Sequence, residues 1–215
     1  MNAHVKTALC MAALLPALLS PRALADPGIA PDEDYVNPDT QLAFSAEIGE
    51  YTRVRVHRFP QPGMGVSVQY KGPGDAEAFI YNKGIARIPT GVDSDAVRKE
   101  FEDTAARISG LVAAAPFSNA KRVIDATPEF EQNGQIAKVR VVEFEYSLTY
   151  RDGTTQKLCT WLLLTAYRNQ FLKLLFTHAA VDEQAAQNKL RSLIIGFLLA
   201  NAERTPDFFV KKPGA

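Results

Sequence analysis

Few side chains in this sequence could serve as the base that nucleophilic catalysis requires. Such catalysis would need a base beside Cys159 or a serine, and beyond the first 25 residues the only histidines are His57 and His178. Cys159 lies within an apolar stretch, where a thiol is normally buried, protonated and inert. His178 ends a predicted strand close to Phe176, a setting typical of a structural imidazole. We therefore predict no catalytic residue.

The residue types that bind metals are also poorly spaced. The sequence has no His-x-x-x-His and no Cys-x-x-Cys pattern, and the acidic run 32–34 lacks the glycine and the spacing of a calcium loop. Glu143 and Glu145 share one face of a predicted strand, where exposed carboxylates are usually only solvated. A carboxylate pair for glycoside hydrolysis stays open, because such partners are distant in the chain. We predict no metal and no cofactor.

Aromatic residues provide the candidate ligand-binding positions. Tyr70 and Tyr81 lie near the carboxyl ends of their predicted strands, and Trp161 is the only tryptophan. Such rings could line a cleft for a small apolar or sugar-like ligand, with the tyrosine hydroxyls orienting it. The alternative is that all three are amphipathic residues at the edge of the core.

The first 25 residues have the pattern of a secretory signal peptide. Lys6 precedes an apolar run over 8–19, and residues 21–25 end in an A-x-A-type site, which predicts cleavage after Ala25. The apolar run is too short to cross a bilayer core of about 30 Å. Residues 26–50 contain several prolines and acidic residues, and we predict a flexible tether there.

The charge balance bears on the type of partner, and the cysteine content bears on the cellular location. The chain has 24 basic and 24 acidic residues, a balance that does not indicate a nucleic acid or an anionic membrane surface as partner. After cleavage only Cys159 would remain, so no internal disulfide could form. Because small exported eukaryotic domains are usually rich in disulfides, we predict a periplasmic location instead.

The centre of the sequence predicts an antiparallel β-meander. Residues 138–150 alternate between apolar and polar side chains, as in a strand with one exposed face. The runs 158–167 and 171–178 are apolar on both faces, so we expect other parts of the chain to pack against both faces of these strands. Asp152-Gly153 and the polar residues 168–170 predict short hairpin links between these strands.

Further elements surround this meander. Strands are predicted over 51–58, 66–70 and 78–81, with a turn rather than a phosphate-binding loop at Gly63 to Gly65. A helix capped by Asp93 or Ser94 should bury five residues, namely Val97, Phe101, Ala105, Ile108 and Val112. A short strand within 121–131 and a hairpin turn at Asn133-Gly134 should follow it. A second amphipathic helix should begin at Asp182 and end near Asn201.

These elements predict one α+β domain over residues 51–201. Its largely antiparallel sheet of six to seven strands should pack between the two amphipathic helices as an α/β/α sandwich. Residues 202–215 form a C-terminal tail that either folds back on the domain or contacts a partner.

Two resemblances accompany this prediction. The order of elements from Tyr51 to Asn201 resembles the fold shared by the PsbP-type proteins of photosystem II, the nuclear protein Mog1 and the bacterial envelope protein DcrB. Four segments resemble a family of uncharacterised exported proteins in Gram-negative bacteria: 63–70, 78–84, 88–91 and 100–101. This resemblance implies a periplasmic location and no known activity.

The favoured function is a non-catalytic periplasmic accessory or binding module whose partner is an unknown envelope protein. The alternative is a carrier of a small hydrophobic ligand in a cleft between sheet and helix. A hydrolase that uses Cys159 or scattered carboxylates ranks last. We expect no nucleic-acid partner and no transmembrane segment in the mature chain.

Overall fold

The computed structural model describes residues 32–132, 135–180 and 183–211. The predicted signal peptide with its cleavage site at Ala25, the Asn133-Gly134 turn and the Asp182 cap lie outside these ranges. Within them, no helix is both long enough and apolar enough to span a membrane.

The described residues form thirteen strands: β1 (Tyr35–Val36), β2 (Ala43–Phe44), β3 (Glu47–Ile48), β4 (Tyr51–Arg58), β5 (Val66–Lys71), β6 (Asp75–Tyr81), β7 (Phe117–Ala126), β8 (Glu129–Gln132), β9 (Gln135–Lys138), β10 (Arg140–Thr149), β11 (Thr155–Tyr167), β12 (Gln170–Ala179) and β13 (Val210–Lys211). An antiparallel sheet of eight of these strands forms the centre of the fold, in the order β3-β4-β5-β6-β12-β11-β10-β7. The predicted meander corresponds to β10, β11 and β12. The sheet is slightly larger than predicted, because the two-residue strand β3 extends one edge.

One helix lies on each face of the sheet, so the predicted α/β/α layering is confirmed. Helix α1 (Asp95–Val112) packs over β7, β10 and β11. The Oγ of Ser94 caps this helix by accepting a hydrogen bond from the Val97 N–H at 3.3 Å. Helix α2 (Glu183–Asn201) packs on the other face, against β2, β3 and β8.

Two separate hydrophobic cores result. Helix α1 buries Phe101 and Ile108 against even-numbered residues of β11 such as Leu162. Helix α2 buries Leu193 against odd-numbered residues of the same strand, such as Leu163. Because successive side chains of a strand point to opposite faces, the apolar character of β11 on both sides matches its cover on both sides.

Residues 35–48, predicted as part of a flexible tether, instead pack on the α2 face. Leu42 and Phe44 are almost fully buried in that core. The Oδ1 of Asn201 accepts a hydrogen bond from the Ala43 N–H at 2.7 Å, and its Nδ2 donates one to the Ala43 carbonyl at 2.9 Å. Prolines and acidic residues favour a flexible segment, but here the burial of the apolar side chains of Leu42 and Phe44 holds the segment against the domain.

The C-terminal tail folds back on the domain, which decides between the two alternatives for residues 202–211. A short 3-10 helix (Pro206–Phe208) leads into β13, which pairs with β9. The Tyr167 hydroxyl donates a hydrogen bond to Asp207 at 2.5 Å, and Arg168 forms an ion pair with the same carboxylate at 3.2 Å.

The face of β10 that was predicted to be exposed is partly buried. Glu143 is only 1% exposed, and Ser147 is buried as well. Further along this face, helix α2 and β8 line a groove together with Val141 and Trp161. The polar alternation of β10 therefore reflects buried polar groups as well as contact with solvent.

Candidate functional site

An apolar cavity of about 80 Å³ lies between the sheet and helix α2. Strands β6, β11 and β12 form its floor with four side chains: Ala78, Leu163, Leu172 and Leu174. Helix α2 forms its roof with Leu193, Ile194, Phe197 and Leu198. Because almost every lining side chain is apolar, the cavity favours an apolar occupant over water.

The edge of the central sheet and segments outside that sheet close the sides of this cavity. Phe44 lies on β2 in the N-terminal segment, Ile48 lies on the edge strand β3, and Ala137 lies in the small sheet formed by β8, β9 and β13. Phe208 enters from the C-terminal tail, where its ring packs edge-on against Tyr167 at 5.2 Å between centroids. The cavity thus depends on residues on both sides of the predicted 51–201 domain.

Tyr70 is the one predicted ligand-binding residue that lines the cavity. Its hydroxyl donates a hydrogen bond to the Ser45 carbonyl at 2.9 Å. Burial, above all, raises the pKa of Tyr70 well above its usual value, so the hydroxyl stays protonated. Tyr70 therefore offers an apolar ring to the cavity, while its hydroxyl holds the N-terminal segment.

Tyr81 lies on the opposite face of the sheet, in the core beneath helix α1. Its hydroxyl donates a hydrogen bond to the buried Glu100 carboxylate at 2.6 Å. Burial, with the charge of Glu100 as a further cause, raises the pKa of Tyr81 well above its usual value. Tyr81 consequently links the sheet to helix α1 and does not reach the cavity.

Trp161 shares a face with Tyr70 but lines a different depression. Its half-buried side chain borders the groove between β8 and helix α2, next to Phe130 and Leu190. The three aromatic residues therefore do not line a single cleft. Ligand binding at each of them remains a prediction.

The structure brings together three polar residues that sequence spacing did not associate. Glu143, Cys159 and His178 lie on β10, β11 and β12, and one potential metal-ligating atom from each lies within 4.8 Å of the others. Cys159 is directly opposite His178 in the ladder, and Glu143 is opposite the neighbouring Trp161. Strand alternation could have revealed this cluster, but only once the register between the strands was known.

No family model matches the chain, and no curated protein matches it either.

Proposed function

We propose that the protein is a binding module that holds a small apolar ligand, or an apolar end of a larger one, between the sheet and helix α2. The observation that carries this proposal is the 80 Å³ cavity with its almost wholly apolar lining. An engineered apolar cavity of roughly 150 Å³ stays dry and takes up benzene or xenon. The smaller volume here suits a xenon atom or a few carbon atoms.

The way the cavity is closed supports a role in binding. Dense packing is the rule in protein interiors, and a void costs stability because the atoms around it lose their contacts. Here the cavity lies where the central sheet, helix α2, the N-terminal segment, the small sheet of β8, β9 and β13, and the short tail that carries Phe208 meet. Movement of this tail would open a route from solvent without disturbing the central sheet.

The proposal joins the two functions predicted from the sequence, an accessory module and a hydrophobic carrier. A periplasmic location remains part of it and rests on the signal-peptide pattern of residues 1–25. The apolar cavity favours the carrier over a hydrolase, because its lining residues include no Asp, Glu, His, Lys or Cys.

Two measurements test this function. Native mass spectrometry of protein released gently from its own cells should show added small-molecule mass. Xenon dissolved in a solution of the purified protein should shift the methyl NMR signals of Leu163, Leu172 and Leu193. If the protein shows only its polypeptide mass and xenon leaves these methyl groups unchanged, the proposal is wrong.

A filled cavity provides the variant for this test. Ala137→Leu adds three carbon atoms to the buried wall contributed by β9 and should abolish the xenon shifts. Ala96→Leu makes the same substitution at a half-buried position on helix α1, which packs against the core on the opposite face of the sheet. This variant should keep the xenon-induced shifts. Equal shifts in both variants would place the xenon site elsewhere.

A further inference from the structure

We propose that Glu143, Cys159 and His178 bind one divalent transition-metal ion of the zinc type. The three side chains offer a carboxylate oxygen, a thiolate sulfur and an imidazole nitrogen, which are the ligand types of protein zinc sites. The proposal is independent of the apolar cavity, because none of the three residues lines it.

The first observation is that these three residues lie close together in a buried place. Glu143, Cys159 and His178 are 1%, 4% and 6% exposed, and their potential ligand atoms lie within 4.8 Å of one another. Metal–ligand lengths of about 2.0 to 2.3 Å place tetrahedral ligand atoms about 3.3 to 3.8 Å apart. To bind one ion, the ligand atoms must therefore move about 1 Å closer together, and rotation of the side chains can supply this movement.

The second observation concerns the two ring nitrogens of His178. Its Nδ1 lies 2.9 Å from the Ala179 carbonyl, and because a carbonyl only accepts, Nδ1 carries the donated hydrogen. Its Nε2 has no hydrogen-bond partner among the described residues although it is buried. A histidine that ligates a metal commonly donates its other ring N–H to a backbone carbonyl in this way. Nε2 is thus oriented as the ligand atom.

The strands hold the three ligands at fixed positions. Cys159 and His178 are direct cross-strand neighbours, and such side chains start about 4.5 to 5.5 Å apart at Cβ. Glu143 is the diagonal cross-strand neighbour of Cys159. Diagonal neighbours lie farther apart than direct ones, and the long glutamate side chain spans the extra distance. Glu145, which is opposite Cys159 on the same face, forms an ion pair with Lys121 at 2.7 Å. Three ligands leave one position of a tetrahedral ion for water.

A catalytic thiol is the less favoured interpretation of the same residues. Cys159 is 4% exposed, so a substrate could reach its sulfur only if the structure opened. A small ion needs much less room than an acyl group. The burial of the cluster therefore favours metal binding over nucleophilic attack.

Titration with Co²⁺ and Zn²⁺ tests the site in the full chain, first in the Cys10→Ser variant. In this variant Cys159 is the only thiol, so a sulfur-to-Co²⁺ charge-transfer band in the near ultraviolet must come from it. We expect this band, saturation at one ion per chain, and its loss when Zn²⁺ displaces Co²⁺. Absence of the band in the folded variant would overturn the proposal.

Three substitutions assign the individual ligands. Cys159→Ser should remove the band. His178→Gln and Glu143→Gln should each weaken metal binding by more than 10- to 100-fold, which is the typical loss when a residue that hydrogen-bonds to a metal ligand is mutated. His57→Gln and Glu77→Gln alter another buried histidine and another buried carboxylate and should bind normally. Unchanged affinity in His178→Gln or Glu143→Gln would exclude that residue and overturn the three-ligand site.

One measurement does not require the ligand variants to fold. In the Cys10→Ser chain, Zn²⁺ should shift the Nε2 resonance of His178 in nitrogen-15 NMR and leave both ring nitrogens of His57 unchanged. Zn²⁺ should also raise the melting temperature by mass action, since the unfolded chain does not hold the three ligands together. An unshifted His178 Nε2 at saturating Zn²⁺ would overturn the proposal.

Discussion

The Tyr81 hydroxyl donates a 2.6 Å hydrogen bond to Glu100, which ties strand β6 to helix α1 inside the core. The carboxylate is buried and also contacts Lys83, Thr104 and, at 3.5 Å, Arg107. A buried carboxylate is stable only when such partners replace its hydration. This cluster therefore fixes where helix α1 sits on the sheet.

Removal of this carboxylate should destabilise the fold. Glu100→Ala leaves the buried Tyr81 hydroxyl without its acceptor and should lower the free energy of unfolding by about 2 to 4 kcal/mol. Glu100→Gln keeps an oxygen acceptor and should cost less. Urea unfolding measures both, and Glu102→Ala, at an exposed position of the same helix, serves as the control. Equal losses at positions 100 and 102 would contradict the role of the cluster.

The ammonium group of Lys173 should make stability depend on pH. Burial, above all, lowers the pKa of Lys173 from 10.5 to about 8, although Glu100 and Glu77 act in the opposite direction. The Nζ lies over the Phe79 ring at 4.2 Å. Between about pH 8 and 10.5 the unfolded chain therefore binds more protons at this residue than the folded chain, so its contribution to stability rises with pH.

Lys173→Met tests this dependence by removing the charge and keeping an unbranched stem. Between about pH 8 and 9.5 the original chain should gain about 1 to 2 kcal/mol relative to this variant. Urea unfolding should be followed only to about pH 9.5, because tyrosines ionise in the unfolded chain near pH 10. Lys99→Met, at an exposed position, is the control. A Lys173→Met profile parallel to that of the original chain would contradict the prediction.

Gly65 should tolerate no side chain. Its φ is +64°, and an added Cβ would lie 1.8 Å from the Ile80 carbonyl oxygen. Gly65→Ala should therefore lower the free energy of unfolding by more than about 2 kcal/mol, through backbone strain together with the clash. Gly153 also has a positive φ, of +81°, but no atom lies within 4 Å of an added Cβ.

Gly153→Ala is thus the matched control and should cost only about 1 kcal/mol. Thermal melting of the two variants separates the clash from the strain. Similar melting temperatures would mean that the turn between β4 and β5 can move away from β6.

The tail should control access to the apolar cavity. Phe208 forms part of the wall, and Asp207 holds the tail through Tyr167 and Arg168. Burial first, and the hydrogen bond to Asp207 next, raise the pKa of Tyr167 to about 12, so this donor persists at neutral pH. Phe208→Ala should speed xenon exchange and hydrogen exchange in residues 206–211.

Asp207→Asn weakens the contacts of the tail with Tyr167 and Arg168 but keeps Phe208 in the cavity wall. It should therefore speed xenon exchange and hydrogen exchange less than Phe208→Ala does. Phe59→Ala replaces a half-buried phenylalanine that does not line the cavity and should leave xenon exchange unchanged. If Phe208→Ala leaves both exchange rates unchanged, ligands enter by another route.

The sequence by itself determined the main elements, because their patterns are local. The period of helix α1 identified all five of its predicted core residues, and the apolar runs of β11 and β12 predicted cover on both faces. Two amphipathic helices and a meander then left few layouts other than an α/β/α sandwich.

Only the tertiary structure decided which residues meet. Strand register placed Cys159 opposite His178 and brought buried Glu143 beside them, although Glu143 has the local pattern of an exposed residue. Strand alternation likewise places Tyr81 and Tyr70 on opposite faces of the sheet, because successive side chains along a strand point to opposite faces. Phe44 and Phe208, which lie near the two ends of the described chain, both pack against Phe197 beside the cavity. Such long-range contacts depend on how complete elements pack, and no local pattern of residues encodes them.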